Sequence, residues 1–102
     1  MVVRVWTTGF DPARLDELNR FANTRSLPMF RRHDGCLGVI FAPGKAEYLT
    51  ISFWRDHAAT AALEASEDYK QTVAAILAEG FLRAPQNTQL YDYGGGITPQ
   101  LP

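Results

Sequence analysis

A chain of 102 residues with 46% hydrophobic and 12% aromatic residues is of single-domain size and has enough apolar side chain to fill a core, which excludes a disordered chain. Ten basic residues against eleven acidic give a formal net charge of −1, so neither nucleic acid nor an anionic membrane is expected as a partner. No apolar run approaches the roughly 20 residues of a membrane span, the first residues lack the pattern of a signal peptide, and the single Cys36 has no internal disulfide partner; together these predict a cytoplasmic protein.

Val2 to Thr8 alternates as a strand, with Val3 and Val5 on one side and Val2, Arg4 and Trp6 on the other. Asp11 then suits a helix N-cap and Pro12 the first helical position. Leu15, Leu18, Phe21 and Ala22 follow at helical spacing, with Arg14, Asp16, Glu17, Asn19 and Arg20 on the polar side. Pro28 lacks an N–H and predicts a kink or split, with a separate turn over Met29 to Arg32 closed by Asp34-Gly35.

Leu37 to Ala42 and Glu47 to Trp54 read as a hairpin around Pro43-Gly44-Lys45. In the later strand Leu49, Ile51 and Phe53 face one side and Tyr48, Thr50, Ser52 and Trp54 the other. Neither face carries a charge, so both are expected to be covered. A sheet with helices on one side needs something else over its second face. The expectation is a second copy of the same sheet, with the Tyr48-Thr50-Ser52-Trp54 row in a homodimer interface.

Asp56 can cap a helix that starts at His57 and runs through an alanine-rich segment small enough to approach the sheet closely. Ser66 restarts the helix, with Glu67 and Asp68 in its first turn and Tyr69, Val73, Ile76 and Leu77 as the buried stripe; Gly80 ends it. Arg83 to Asn87 reads as a loop and Thr88 to Tyr93 as the fourth strand. The order is β-α-β twice over, the ferredoxin-like split βαβ plan: an α+β fold with a four-stranded antiparallel sheet and helices on one face. One domain is expected over residues 1–93, followed by a Gly- and Pro-containing tail over 94–102.

With these elements in place the chain resembles the dimeric α/β-barrel superfamily, nearest the antibiotic-biosynthesis-monooxygenase-type domains. The residues that carry the resemblance are the glycine-led strand Asp34-Gly35-Cys36-Leu37-Gly38, the strand ending at Trp54 before Asp56 and the alanine-rich helix, and the helix restart from Ser66 to Tyr69. The resemblance implies a homodimer with two sheets face to face and a pocket between sheet and helices in each subunit. It also implies a cofactor-independent oxygenation of an aromatic or polycyclic small molecule, with Trp54 at the pocket wall. Cofactor-free relatives pair that tryptophan with an asparagine and a tyrosine; the matching places here are Thr50 and Thr60. Haem-degrading relatives need a helix histidine where Glu64 and its neighbours stand, which disfavours haem.

Five residues are candidates for the site. Trp54 and Trp6 would bind substrate. Tyr48 could donate to a phenolic or quinone oxygen, and a neutral His57 at a pocket mouth could act as a base. Arg4 needs a carboxylate or a ligand anion, and its expected partner is Asp92 or Glu47 across a subunit interface. His33 and His57 lack metal-ligand spacing, so neither metal nor cofactor is expected. Two other readings fit the same fold: a non-catalytic ligand-binding or structural dimer, and an isomerase or decarboxylase using His57 or His33 as base.

Overall fold

The structure, a computed structural model, describes residues 1–100. Three helical segments start where a side chain accepts a free backbone N–H of the first turn. The Asp11 carboxylate accepts from Ala13 N–H at 3.0 Å and opens a 3₁₀ turn over Pro12–Arg14. Asp56 accepts from Ala59 N–H at 2.8 Å and opens α3 (His57–Ala65), while Ser66 Oγ accepts from Tyr69 N–H at 3.1 Å and opens α4 (Glu67–Ala78). Gly80, at φ 78°, supplies the left-handed residue that ends α4.

The first helical region is continuous and locally widened. It runs from α1 (Leu15–Phe21) through a π turn over Ala22–Ser26 into α2 (Leu27–Arg31). Pro28 explains the widening, since it has no N–H to give the carbonyl four residues back. The Leu27 N–H reaches the Ala22 carbonyl five residues back. The Asn23 amide and Thr24 hydroxyl donate to the Asn19 and Arg20 carbonyls, at 2.8 and 2.6 Å. The expected split is therefore a change of helical pitch.

The four strands are β1 (Val2–Phe10), β2 (Cys36–Pro43), β3 (Glu47–Trp54) and β4 (Leu82–Asp92), in the order β2-β3-β1-β4 with every neighbouring pair antiparallel. This is the ferredoxin-like sheet. Strand β4 takes in the expected loop over Arg83 to Asn87. It is an edge strand, so Pro85 costs no ladder bond on its outer side. A register shift between Thr8 and Gly9 accommodates the extra length. No helix is long and apolar enough to cross a membrane among the described residues.

The faces of β3 are reversed from the sequence expectation. Tyr48, Thr50, Ser52 and Trp54 are all buried beneath the helices, and Leu49, Ile51 and Phe53 are half-buried on the side that carries no helix. The register shows why. Arg4 stands opposite Ser52 and Trp6 opposite Thr50, so the polar residues of β1 and β3 share the helix side, where buried groups find partners. Val3, Val5 and Ile40 join Ile51 on the open side.

Two hydrophobic clusters fill the layer between sheet and helices. One holds Phe10, Leu18, Phe21, Tyr48, Ile76 and Phe81; the other holds Val2, Met29, Phe30, Trp54 and Leu63. Gly35 lets α3 approach the start of β2, because a side chain there would overlap the Ala59 methyl. Leu77, expected in the buried stripe, is exposed.

Candidate functional site

A cavity opens between the two clusters, roofed by the helices and floored by the sheet. Its apolar walls are Leu18, Met29, Phe30, Phe41, Val73 and Ile76; its polar and aromatic lining comes from Arg4, Trp6, Tyr48, Thr50, Tyr69 and Thr72. Tyr69, Val73 and Ile76 are the inward stripe of α4, and Leu18, Ala22 and Ser26 line the cavity at four-residue steps along α1 and the π turn. The cavity measures only about 40 Å³, within unfilled space of about 470 Å³ that includes open solvent. A cavity that admits benzene measures about 150 Å³, so an aromatic ligand needs side chains to move.

Arg4 is the one charged residue lining this cavity among the described residues, and it is only 2% exposed. Its Nε donates to Glu64 Oε1 at 3.1 Å and its Nη2 to the Tyr69 hydroxyl at 2.7 Å. The guanidinium also lies over the Tyr69 ring, 5.1 Å from the centroid. The partner is thus Glu64 of α3, in place of the Asp92 or Glu47 expected from the sequence. Asp92 instead meets His57, at 2.8 Å. The β1 row Val2-Arg4-Trp6 faces the helices, which puts a helix carboxylate within reach and the strand-end carboxylates out of it.

Tyr48 is buried and donates to Asn19 Oδ1 at 3.2 Å. Burial pushes its hydroxyl up to about 12. It therefore stays protonated at neutral pH and acts as a donor, with no role as a base. Thr50 lies on the floor beside it, while Thr60, in α3, turns its hydroxyl back to the His57 carbonyl at 2.8 Å and lines nothing.

Three of the five expected site residues, Arg4, Tyr48 and Trp6, line the cavity together. Trp54 stands one layer behind the wall. It is 0% exposed, packs with Met29, Phe30 and Leu63, and donates Nε1–H to Ser52 Oγ at 2.8 Å. Strand alternation puts it on the correct face, but α2 lies across it. His57 is exposed in the first turn of α3 and lines no part of the cavity. His33 sits against the Trp54 ring, with Nε2 3.7 Å from Asp68 Oδ2.

Glu64 and Tyr69 were not singled out for Arg4 from the sequence. One signal was available. Glu64 follows Leu63 and stands four residues after Thr60, on a helix whose buried residues are those two, which places a carboxylate at the border of the inward face. A second depression, over Phe21 and Phe81, is an open surface groove bordered by Glu17, Arg20, Arg25 and Glu79, with charges of both signs. Among the described residues no three His, Cys, Asp or Glu side chains gather as metal ligands.

No family model and no curated protein matches the sequence. Solved structures do match the fold. A proposed antibiotic biosynthesis monooxygenase from Deinococcus radiodurans superposes with a TM-score of 0.76 at 17% identity, covering 98% of this chain and 99% of that one. The chain has the fold of the antibiotic biosynthesis monooxygenases. SnoaB, a cofactor-independent oxygenase from Streptomyces nogalater, shares this fold at a TM-score of 0.73 and 19% identity, with 96% and 97% of the two chains covered. Rv0793 from Mycobacterium tuberculosis matches with a TM-score of 0.73 at 16% identity, covering 95% of this chain and 98% of that one. In this monooxygenase fold the cavity beneath the helix layer is built from both βαβ halves, since Arg4 and Trp6 come from the first and Thr50, Tyr69 and Ile76 from the second.

Proposed function

We propose that this chain is a cofactor-independent monooxygenase acting on an aromatic or polycyclic phenol. The observation that carries the reading is a buried guanidinium, Arg4, in a cavity walled by Trp6, Phe30, Phe41, Tyr48 and Tyr69. The likeness in fold to a cofactor-independent oxygenase supports it. A phenolate is electron-rich enough to reduce dioxygen itself. The protein then has to hold the anion beside a fixed cation, supply donors to the developing oxygen charge and exclude water. Arg4 supplies the cation and Thr50 stands as a hydroxyl on the same floor, while Tyr48 can donate only by giving up its bond to Asn19. In the reaction a ring CH2 becomes a carbonyl: one oxygen atom enters the substrate, the other leaves as water with the two displaced hydrogens, and the substrate supplies all the electrons.

The test is oxygen uptake on a panel of hydroxylated tricyclic ketones bearing a ring CH2, with no flavin added and a chelator present. One dioxygen consumed per product carbonyl, dependent on protein, is the expected result. Binding of these compounds without oxygen uptake above the uncatalysed rate would leave the non-catalytic ligand-binding protein as the correct reading.

The protein acts as a homodimer in this reading. Val3, Val5, Ile40, Leu49, Ile51 and Phe53 form an uncharged face that no helix covers, and a second sheet is the self-complementary cover for it. An interface above roughly 1,000 Å² is expected. Ile51→Asp at its centre should convert the dimer to a monomer in sedimentation. A wild-type chain that sediments as a monomer at micromolar concentration would overturn the dimer.

A further inference from the structure

We propose that Tyr69 and Glu64 hold, on Arg4, the place of an aromatic oxyanion, so that the site selects ligands that carry an anionic group on an aromatic ring. This rests on the reading of the cavity as a ligand site and specifies what enters it.

The argument starts from the donors of the guanidinium. Arg4 carries five N–H groups. One meets a carboxylate, Glu64, and one meets a phenol, Tyr69; among the described residues no acceptor meets the Nη1 pair. The protein thus presents to its own cation the two groups that an aromatic acid or phenolate would present. Both can leave. Glu64 is 44% exposed and its carboxylate can return to water, provided that another anion takes its place on the buried Arg4. Tyr69 is half-buried in the first turn of α4, at the edge of the Trp54 cluster, and its ring lies over the guanidinium with one hydrogen bond and the cation–π contact.

Volume requires such an exchange. The cavity of about 40 Å³ is far below the roughly 150 Å³ that admits benzene, so a ring enters only if a lining side chain moves. The Tyr69 ring is the aromatic group that already sits on the charge. Charge sets the selectivity. An incoming oxyanion that displaces Glu64 leaves Arg4 neutralised; an uncharged ligand of the same shape leaves a cation buried without its partner, which is strongly unfavourable. Glu64 is then a specificity-determining residue, and Tyr69 a gate.

The probes are 2-naphthoate and its uncharged isostere 2-naphthamide, titrated calorimetrically into the whole chain. Naphthoate should bind about tenfold or more tightly than naphthamide, the scale of a hydrogen bond to a charged group. Glu64→Gln keeps an acceptor for Arg4 but removes the competing charge, and Tyr69→Phe removes the competing hydroxyl. Each should tighten naphthoate about three- to tenfold, the scale of one neutral hydrogen bond, and leave naphthamide nearly unchanged. Equal affinity for the two probes, failure of naphthoate to bind, or weaker naphthoate binding in both variants would each overturn the proposal. Circular dichroism of the variants separates loss of fold from loss of binding, and Tyr69→Phe, which leaves the Arg4–Glu64 pair in place, keeps the test open where Glu64→Gln unfolds. The oxygenase reading fails separately, by absence of oxygen uptake. Anion selectivity without oxygen uptake upholds this inference and removes that one; oxygen uptake with equal affinity for the two probes does the reverse.

Discussion

Replacing Trp54 with alanine should lower the free energy of unfolding by about 3–5 kcal/mol, the usual cost of emptying a large aromatic site in a core. Domains of this size are stable by only about 5–15 kcal/mol, so the loss is at least about a fifth of the total. The indole is fully buried at the end of β3 and touches residues from β1, α2 and α3, so its removal loosens strand and helices together. A denaturant titration reads the effect as a lower midpoint with an unchanged slope. Wild type and variant must be compared at one protein concentration, because the proposed dimerisation would add to apparent stability. Trp54→Phe keeps the ring contact with Phe30 but removes the donor to Ser52 Oγ, so it should cost less than alanine. Since Met29 and Phe30 stand between Trp54 and the cavity, the phenylalanine variant should bind aromatic ligands as the wild type does. A tenfold loss of ligand affinity in a well-folded Trp54→Phe would show that the indole reaches the ligand after all.

The elements were legible in the sequence because each has its own local signal. Asp11, Asp56 and Ser66 announce helix starts as caps, and all three accept the backbone N–H that caps accept. Gly80 announces an end. Alternation announces the strands, and the Pro43-Gly44-Lys45 turn fixes the hairpin, where Gly44 N–H reaches the Glu47 carbonyl at 2.7 Å. The face of each strand was less legible. In β3 the two rows are Leu-Ile-Phe and Tyr-Thr-Ser-Trp, both uncharged, and hydrophobicity alone favours neither as the helix side. What decides is the register that sets Arg4 beside Ser52 and Trp6 beside Thr50, a relation between strands about 45 residues apart. For the same reason Arg4 could be recognised as a buried cation in need of an anion while its partner could not. Glu64 is 60 residues away, and only the packing of α3 over β1 brings the two together.

The placement of Arg4 also separates stability from function. A buried cation is costly to bring out of water, and an apolar side chain of similar length in its place is often tolerated. Arg4→Met should therefore fold. Glu64 turns outward into solvent, and the remaining cost is the Tyr69 hydroxyl without its partner, about 1–3 kcal/mol at most for a group that stays fully buried and less here, where the ring is half-buried. The effect on function should be far larger. Removing one fixed donor from a developing oxyanion typically costs a factor of about 10² to 10³ in rate, and Arg4 brings a full charge as well. The expected result is that loss in kcat/KM on a phenolic substrate whose oxygenation the wild type accelerates. The pH profile should distinguish an electrostatic role from a merely structural one. A cation beside the bound phenol lowers its pKa, so the reactive phenolate is present at lower pH in the wild type. Without Arg4 that pKa rises, and the acidic limb of the rate profile should move up by about 1–3 pH units. Arg4→Lys restores the charge without the planar fork and should recover the position of the limb better than the rate. An Arg4→Met variant that keeps its fold, its rate and its pH profile would remove Arg4 from the chemistry and leave it as the structural counter-ion of Glu64.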